Sequence, residues 1–441
     1  MKRLIAPVIV TLGLAAMLAV LAALVFQADV ASAASGDVVL RGTLLVVHAD
    51  ARDGTGDANF YLLKTRNGYF GLHFDRAPEL KPNQDVVVSG VPGKGRELLV
   101  SHVEATAGAV TTAATNGTLR TLIIPASWPS APPDLVTPAQ AELQVGSVDD
   151  AWYHETSYGS VAMAATATPW MTIADPGTGC PLAEILTGAE AAATATGFDS
   201  SAYDREMVYV PWTASICSGF AGFGVVGGRI SWILGEMDTR VTVHELGHNL
   251  GLWHAHSLRC TDAATQVPYG PSCDPFDEYG DPFDAMGAGW YGSGHFNAAQ
   301  KARLGWMSGR YIDVSPPLRS PLRVDLSPLE TAGGLKALAI HADGTTFWVE
   351  YREAVGVDSW LTNFPGALNG VLVHIPQPSD ASNGSDLLDM TPNTLGFLDA
   401  ALPVGASYTD PNRSFSLRVH STTAGAVTLF LRRPVGNGGP G

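Results

Sequence analysis

The chain has 441 residues, which is too long for one hydrophobic core, so we expect two or three domains. Hydrophobic residues make up 46% and charged residues only 15%, a composition that excludes an intrinsically disordered protein. The formal net charge of -16 repels phosphate backbones, so we do not expect a nucleic-acid partner.

Residues 1–33 have the layout of a secretion signal peptide. Lys2 and Arg3 precede an apolar run from Leu4 to Phe26, and Ala31-Ser32-Ala33 fits the small-x-small pattern of a cleavage site. The run is also long enough to span a bilayer as an uncleaved anchor. We expect cleavage, an extracellular location and no stable membrane association afterwards.

Residues 34–117 alternate in the manner of short β-strands. Turn sequences such as Asp53-Gly54-Thr55-Gly56 and Asn67-Gly68 separate them. This pattern predicts a small β-barrel, of the OB type. Three roles stay open for it: a propeptide that is later removed, an accessory binding domain, or a folding aid.

Residues 118–312 mix strand and helix patterns. Leu119–Pro125 is typical of a first sheet strand, and Thr137-Pro138 caps a helix that should run to about Tyr153. Gly227–Ile233 is the predicted strand before the next helix. We therefore expect an α+β domain with a mixed, twisted sheet.

The next helix carries the motif H-E-x-x-H-x-x-G-x-x-H. His244 and His248 lie one helical turn apart, so both can bind one metal ion from the same face. Gly251 can adopt the left-handed conformation that ends the helix and returns His254 as a third ligand. Three histidines leave one position on a zinc ion for water, which is typical of a catalytic site. Glu245 is placed to act as the general base.

The sequence after the motif supports a family resemblance. Met286, in the turn-rich stretch Asp281–Gly287, resembles the methionine turn of metzincin zinc proteases. Over about residues 118–430 the chain resembles the gametolysin family, on the sequences Tyr279–Gly287, His295–Trp306 and Trp348–Arg352. The resemblance implies a metzincin fold, one catalytic zinc ion, and a protein or peptide substrate. It also implies that Met286 and Gly251 support the metal site.

The chain departs from other metzincins at two points. Some of them place a tyrosine two residues after the turn methionine, but this chain has Ala288 there, which leaves Tyr291 as a candidate phenol. Others stay latent through a propeptide cysteine, but no cysteine precedes Cys180. If the N-terminal domain inhibits the enzyme, an aspartate or steric cover must replace the thiolate.

The four cysteines, Cys180, Cys217, Cys260 and Cys273, form an even set in a chain that we expect to be secreted. That count indicates two disulfides, with three pairings open. We favour Cys180 with Cys217, and Cys260 with Cys273. The second pair would close the loop between the last histidine ligand and the methionine turn.

Residues 313–435 return to a β pattern, which predicts a C-terminal β-sandwich. Asp386, Asp389 and Asp410 are candidates for calcium, although solvated turn carboxylates are the commoner explanation. We expect residues 436–441 to form a flexible tail.

These predictions combine into a secreted, monomeric zinc endopeptidase. It would hydrolyse extracellular or cell-wall proteins through a zinc-bound water that Glu245 activates. One alternative is an extracellular adhesion or wall-binding protein with a non-catalytic metzincin-like scaffold. Another is a zinc hydrolase for an ester or a glycan-linked amide. Zinc content and casein cleavage, with and without a chelator, would test for the protease.

Overall fold

The computed structural model of the chain describes residues 36–53, 57–107, 110, 112–289, 292–377 and 384–434. The predicted signal peptide, Tyr291 and the predicted tail 436–441 lie outside these residues. The chain divides into two compact units, one made of Met1–Leu45 and Tyr61–Val110, the other of Val46–Phe60 and Thr111–Gly441. None of the helices in the described residues has the length and hydrophobicity that a membrane span requires.

The first unit is a closed five-stranded β-barrel, which confirms the predicted N-terminal barrel. Its strands come from β1 (Val38–Ala51), β2 (Asp57–Thr65), β3 (Gly68–His73), β4 (Gln84–Pro92) and β5 (Glu97–Ala105). They pair in the order β2-β3-β5-β4-β1, and β1 also pairs with β2. Alternating side chains such as Leu44, Leu63 and Val88 fill the interior. A Cβ atom on Gly42 would lie 2.1 Å from the Lys64 carbonyl oxygen, so this closure requires glycine.

The second unit contains a mixed sheet. Its strands are β6 (Gly117–Ser127), β7 (Val161–Ala167), β8 (Met171–Thr172), β9 (Arg205–Val210), β10 (Phe220–Val225) and β11 (Ile230–Leu234). The order is β10-β11-β9-β6-β7, and β8 pairs with β6. β9 runs parallel to β6 and β11, whereas β10 is antiparallel to β11. On its other side, β10 pairs antiparallel with residues 47–51 of β1.

The helices are short. They are α1 (Pro138–Leu143), α2 (Asp150–Thr156), α3 (Leu182–Ala195), α4 (Thr239–Asn249), α5 (Ala298–Arg303) and α6 (Pro365–Leu368), with a π-helical turn at Gln144–Asp149 and 3₁₀ segments at Ser200–Ala202 and Gly356–Asn363. The predicted cap at Thr137 forms, because its hydroxyl accepts the Gln140 N–H at 3.2 Å. The predicted α+β class is confirmed, with sheets dominating.

Helix α4 is the most deeply packed of these helices. Asp238 caps it by accepting the N–H of Val241 at 3.2 Å. Val243 and Leu246 then join an apolar core with sheet residues such as Ile123 and Ile233. This burial fixes the helix against the sheet, and its two histidines with it.

Two further sheets form the C-terminal part of the second unit. The larger contains β12 (Ala255–Asp262), β13 (Thr265–Val267), β14 (Ser272–Asp277), β15 (Tyr311–Val314), β17 (Ala337–Ala342), β18 (Thr345–Glu350), β19 (Gly370–Pro376), β20 (Ser385–Leu388) and β21 (Leu402–Pro403). The smaller contains β16 (Leu322–Leu326), β22 (Ser407–Thr409), β23 (Ser416–Thr423) and β24 (Ala426–Arg432). The two sheets share one apolar core, which includes Ile340 and Val349 from the first and Leu417 and Leu429 from the second.

The larger sheet begins directly after the third histidine of the motif. β12 pairs in parallel with β20, so residues 255–258 lie beside residues 385–388. The disulfide Cys260–Cys273 joins directly opposed residues of β12 and β14. The chain after His254 is therefore held by a sheet and a covalent bond rather than left as a free loop.

A buried ionic cluster is centred on Arg352. Its guanidinium contacts the carboxylates of Glu330 at 2.7 Å and Glu350 at 3.0 Å, and also that of Asp358. Glu350 in turn accepts the N–H of Ala298 at 2.6 Å, at the start of α5. The cluster thus joins the larger sheet to the segment that follows the methionine turn.

Candidate metal centre

The three histidines of the motif come together in the second unit. His244 and His248 project from α4 with their ring centroids 4.9 Å apart. Gly251 has a φ of +97°, which lets the chain fold back after the helix. The ring of His254 then lies 5.1 Å from that of His244 and 5.2 Å from that of His248. All three side chains are buried.

Each ring is oriented by a hydrogen bond at its outer nitrogen. Nδ1 of His244 donates to the Ala285 carbonyl at 2.8 Å, and Nδ1 of His248 donates to the Leu252 carbonyl at 2.9 Å. Nδ1 of His254 is bonded to the Glu278 carboxylate at 2.9 Å. These partners fix the rings so that the three Nε2 atoms face inward, which is the usual arrangement around metal-binding histidines.

Asp50 lies at the point where the three Nε2 atoms converge. Its Oδ1 is 2.7 Å from His254 Nε2 and 3.1 Å from His244 Nε2, and its Oδ2 is 3.3 Å from His248 Nε2. Tyr279 donates its hydroxyl to the same Oδ1 at 2.9 Å. Sequence reasoning assigned neither residue to the site: Asp50 lies 194 residues before His244, and Tyr279 was noted only as part of the stretch that carries the family resemblance.

The geometry of these atoms fits a metal ion. Two ligand atoms bound about 2.1 Å from a tetrahedral zinc ion lie about 3.4 Å apart, and the distances from the Asp50 oxygens to Nε2 of His244 and of His248, 3.1 and 3.3 Å, are near that value. Within the part of the chain that the structure describes, Asp50 Oδ2 and His248 Nε2 are buried without a hydrogen-bond partner. Burial lowers the pKa of His248 to about 4, so this imidazole is neutral at physiological pH, as a metal ligand must be.

A fourth histidine, His48, lies beside the three histidines of the motif. His48, Asp50, His248 and His254 offer ligand atoms that lie within 4.8 Å of one another. Nδ1 of His48 is 2.8 Å from Asn59 Oδ1, and its Nε2 is 3.4 Å from Nδ1 of His254, the nitrogen that faces Glu278. His48 therefore packs on the outside of the His254 ring, while His244 contacts the same Asp50 oxygen as His254 does.

Glu245 is buried beside the three histidines. Gly222 of β10 makes room for it, since a Cβ at this position would lie 2.0 Å from Glu245 Oε1. Neither of its carboxylate oxygens has a hydrogen-bond partner among the described residues. Burial, together with the nearby Asp50 carboxylate, raises the pKa of Glu245 well above its usual value. Glu245 is therefore a stronger base than an ordinary exposed carboxylate.

A cavity of about 40 Å³, large enough for water, opens beside Glu245. Asp50, His244 and Tyr279 line it with Glu245, and Arg240 and Gly289 line its other side. One candidate metal ligand, His244, therefore shares this small space with the candidate base and the phenol of Tyr279.

The predicted methionine turn packs against the helix that carries His244 and His248. Met286 is buried, and a Cβ on Gly247 would lie 2.4 Å from its sulfur, so the side chain packs directly against α4. Asp284 shapes the turn by accepting the N–H of Met286 at 2.7 Å and the side-chain N–H of Asn297 at 2.9 Å. The same turn places the Ala285 carbonyl where it accepts the hydrogen bond from Nδ1 of His244.

The remaining sequence candidates lie outside this centre. Disulfides form between Cys180 and Cys217 and between Cys260 and Cys273, which are the two favoured pairs. Asp389 accepts the N–H of Thr391 at 2.9 Å, and Asp410 accepts that of Phe415 at 2.6 Å, as turn carboxylates do. Asp386 lies 3.7 Å from His256, which also contacts Glu278 at 3.1 Å.

The model of the gametolysin peptidase M11 family matches residues 141–362, half of the 441-residue chain. The chain belongs to the gametolysin family. It is accordingly a metallopeptidase, an enzyme whose substrates are proteins or peptides. Its histidine and aspartate cluster is compatible with binding the metal ion that such an enzyme requires. The match includes the whole motif and the methionine turn. No curated protein is similar enough to count as a relative.

Proposed function

We propose that this gametolysin-family protein is a secreted zinc endopeptidase. In this proposal His244, His248 and His254 bind one zinc ion, and Glu245 is the general base. One observation carries it: the Nε2 atoms of the three histidines converge, and a hydrogen bond to the Nδ1 atom of each ring holds that ring in place. Such paired anchoring is expected of ligands to a metal, because it fixes both the tautomer and the direction of each ring.

His244 is the third ligand in this proposal, and His48 is not. His244 and His254 both direct Nε2 to the same oxygen of Asp50, at 3.1 and 2.7 Å. His48 directs its Nε2 to the outer nitrogen of His254 instead. A ligand set of three histidines that keeps one position open suits catalysis.

Zinc bound there would supply Lewis-acid polarisation and would lower the pKa of a water molecule toward about 7. Glu245 would take the proton from the attacking water on its carboxylate and deliver it to the leaving amine. Its raised pKa suits the first step, because a carboxylate whose conjugate acid has a higher pKa is a stronger base. The small cavity beside Glu245 is the space in which these transfers would occur.

The substrate would lie along β10. An extended peptide can add to a sheet edge through main-chain hydrogen bonds. Gly222 and Gly224 of β10 lie against Glu245, so a peptide on this strand would pass in front of the general base. We propose a metzincin fold for residues 118–312 and a C-terminal β domain for residues 313–435, whose larger sheet also includes β12, β13 and β14 from the preceding part of the chain. We propose one zinc ion, and extracellular or cell-wall proteins as the substrate class.

Two features support secretion. The two disulfides require an oxidising compartment to persist, and residues 1–33 have the layout of a signal peptide. N-terminal sequencing of protein collected outside the producing cells would test this part. An intact N-terminus retained inside the cell would contradict it.

The metal assignment is tested on the purified full chain by elemental analysis. We expect one zinc per chain, lost in His248→Ala and kept in His48→Ala. Hydrolysis of a peptide library by proteolytically processed enzyme should stop with a chelator and return with zinc. Full occupancy in His248→Ala, or activity that survives the chelator, would refute the proposal.

A further inference from the structure

The segment around Asp50 occupies the sheet edge beside the metal centre. Residues 47–51 pair antiparallel with β10, in a register that runs from Val47 opposite Val225 to Ala51 opposite Phe220. The other edge of β10 is taken by β11. A substrate strand therefore has no place on β10 while this segment is bound there.

Contacts on both sides of Asp50 hold the segment in place. On one side, His48 packs edge-on against the rings of His254 and Trp253, with centroid distances of 4.4 and 4.9 Å. On the other side, Arg52 pairs with Glu236 and donates to the carbonyl oxygen of Leu234 at 2.9 Å. The carboxylate between them is thus placed by its neighbours and not only by the histidines.

Aromatic contacts also hold the part of the chain that follows Arg52. Phe60 lies edge-on to Phe220 and Phe223 of β10, at centroid distances of 6.0 and 5.6 Å. The guanidinium of Arg52 lies 4.2 Å from the centre of the Trp212 ring. Arg52 and Phe60 therefore both contact the rest of the second unit through aromatic rings.

We infer that Asp50 is the fourth ligand of the metal ion and that residues 47–51 are a built-in competitor for the substrate edge. This inference rests on the proposed function. A carboxylate oxygen is a common zinc ligand, and it takes the position that water needs. The strand meanwhile uses the main-chain groups of β10 that an extended peptide would use. The folded full-length chain is thus latent until this segment is withdrawn or cut.

The cysteines of the chain are not available as the fourth metal ligand, so a carboxylate takes that role. In the described residues all four cysteines are in disulfides, and none precedes Cys180 in the sequence. A thiolate from the N-terminal region is therefore not available to the metal. Asp50 supplies an anionic oxygen at the same place.

The test uses the full chain loaded with cobalt(II), whose visible spectrum reports the ligand set. We expect a four-coordinate spectrum for the wild type and a changed spectrum for Asp50→Ala and for the isosteric Asp50→Asn. Asp53→Ala, which removes an exposed carboxylate from the same segment, should keep the wild-type spectrum. Asp50→Asn is included because Asn has nearly the same shape as Asp, so the test does not depend on the folding of Asp50→Ala alone.

A second measurement on the same proteins is the binding of acetohydroxamate, a small metal chelator. Because Asp50 competes from within the chain, removing it should tighten acetohydroxamate binding on the order of 100-fold. Unchanged spectra and affinities in both Asp50 variants would overturn the inference while leaving the zinc site intact. An equal change in Asp53→Ala would also overturn it. A wild type that binds no cobalt would instead refute the proposed function itself.

Discussion

Tyr279 donates its hydroxyl hydrogen to Asp50 at 2.9 Å, on the same carboxylate oxygen that lies 2.7 Å from Nε2 of His254. The ring of Tyr279 also lies 4.2 Å from the ring of His254. One phenol therefore braces both the blocking carboxylate and a candidate metal ligand. If Asp50 is withdrawn as we propose, this hydroxyl would face the space beside the candidate metal site.

Tyr279→Phe should loosen Asp50 in the full chain. A hydrogen bond to a charged group is worth about 1.5–3 kcal/mol, so acetohydroxamate should bind roughly tenfold or more tightly to the variant. Tyr269→Phe, in a ring packed on Phe347 of the larger sheet, is the matched control and should leave the affinity unchanged. Equal affinities for the wild type and Tyr279→Phe would contradict the bracing role.

Glu245→Gln should separate metal binding from catalysis. The variant should keep its zinc, while kcat of the processed enzyme should fall by about a thousandfold, as expected when a general base is lost. The thermal midpoint of the full chain should not fall, because the change removes repulsion between two buried carboxylates. Elemental analysis, kinetics and a melting curve check these outcomes, with Glu104→Gln, an exposed barrel residue, as the control. Retention of more than a few per cent of turnover would exclude Glu245 as the base.

Removing the metal should destabilise the second unit. Binding to the folded state alone adds about 3 kcal/mol when free zinc exceeds its Kd a hundredfold. A chelator should therefore lower the unfolding midpoint, and added zinc should restore it. His248→Ala should respond to neither treatment, and a midpoint that shifts equally in this variant would show that the stabilising ion binds elsewhere.

Arg352→Met should be among the most destabilising single substitutions. It leaves Glu330, Glu350 and Asp358 buried without their shared cation, and breaking such a cluster costs about 3–5 kcal/mol. Arg418→Met, on an exposed position of β23, should change the free energy of unfolding by less than about 0.5 kcal/mol. Denaturant unfolding of both variants measures the difference. A loss of similar size in both would mean that the buried cluster is not a special source of stability.

The parts of the metal centre that could be predicted from the sequence are those set by local geometry. One helical turn fixes His244 relative to His248, and the left-handed conformation of Gly251 returns His254 within a few residues. The capped helix at Thr137 could be predicted for the same reason. Each of these features depends on neighbouring residues alone.

The partners of the histidines could not be predicted, because they come from distant strands. Asp50 lies 194 residues before His244, inside an alternating strand that looks like an ordinary barrel strand. Glu278 and Tyr279 follow β14, whose residues carry no clear strand pattern and which pairs with β12, itself paired with the distant β20. The absence of an early cysteine did indicate that, if the N-terminal domain inhibits the enzyme, an aspartate or steric cover must replace the thiolate, but nothing local distinguishes Asp50 from other carboxylates.

Zinc K-edge X-ray absorption of the full-length chain tests the central claim most directly. The proposed centre predicts one zinc ion with three imidazole nitrogens and one oxygen at about 2.0–2.2 Å. The imidazole signal should weaken in His248→Ala, and the oxygen signal should change in Asp50→Ala. A spectrum dominated by sulfur or by water alone, or one that His248→Ala leaves unchanged, would contradict it.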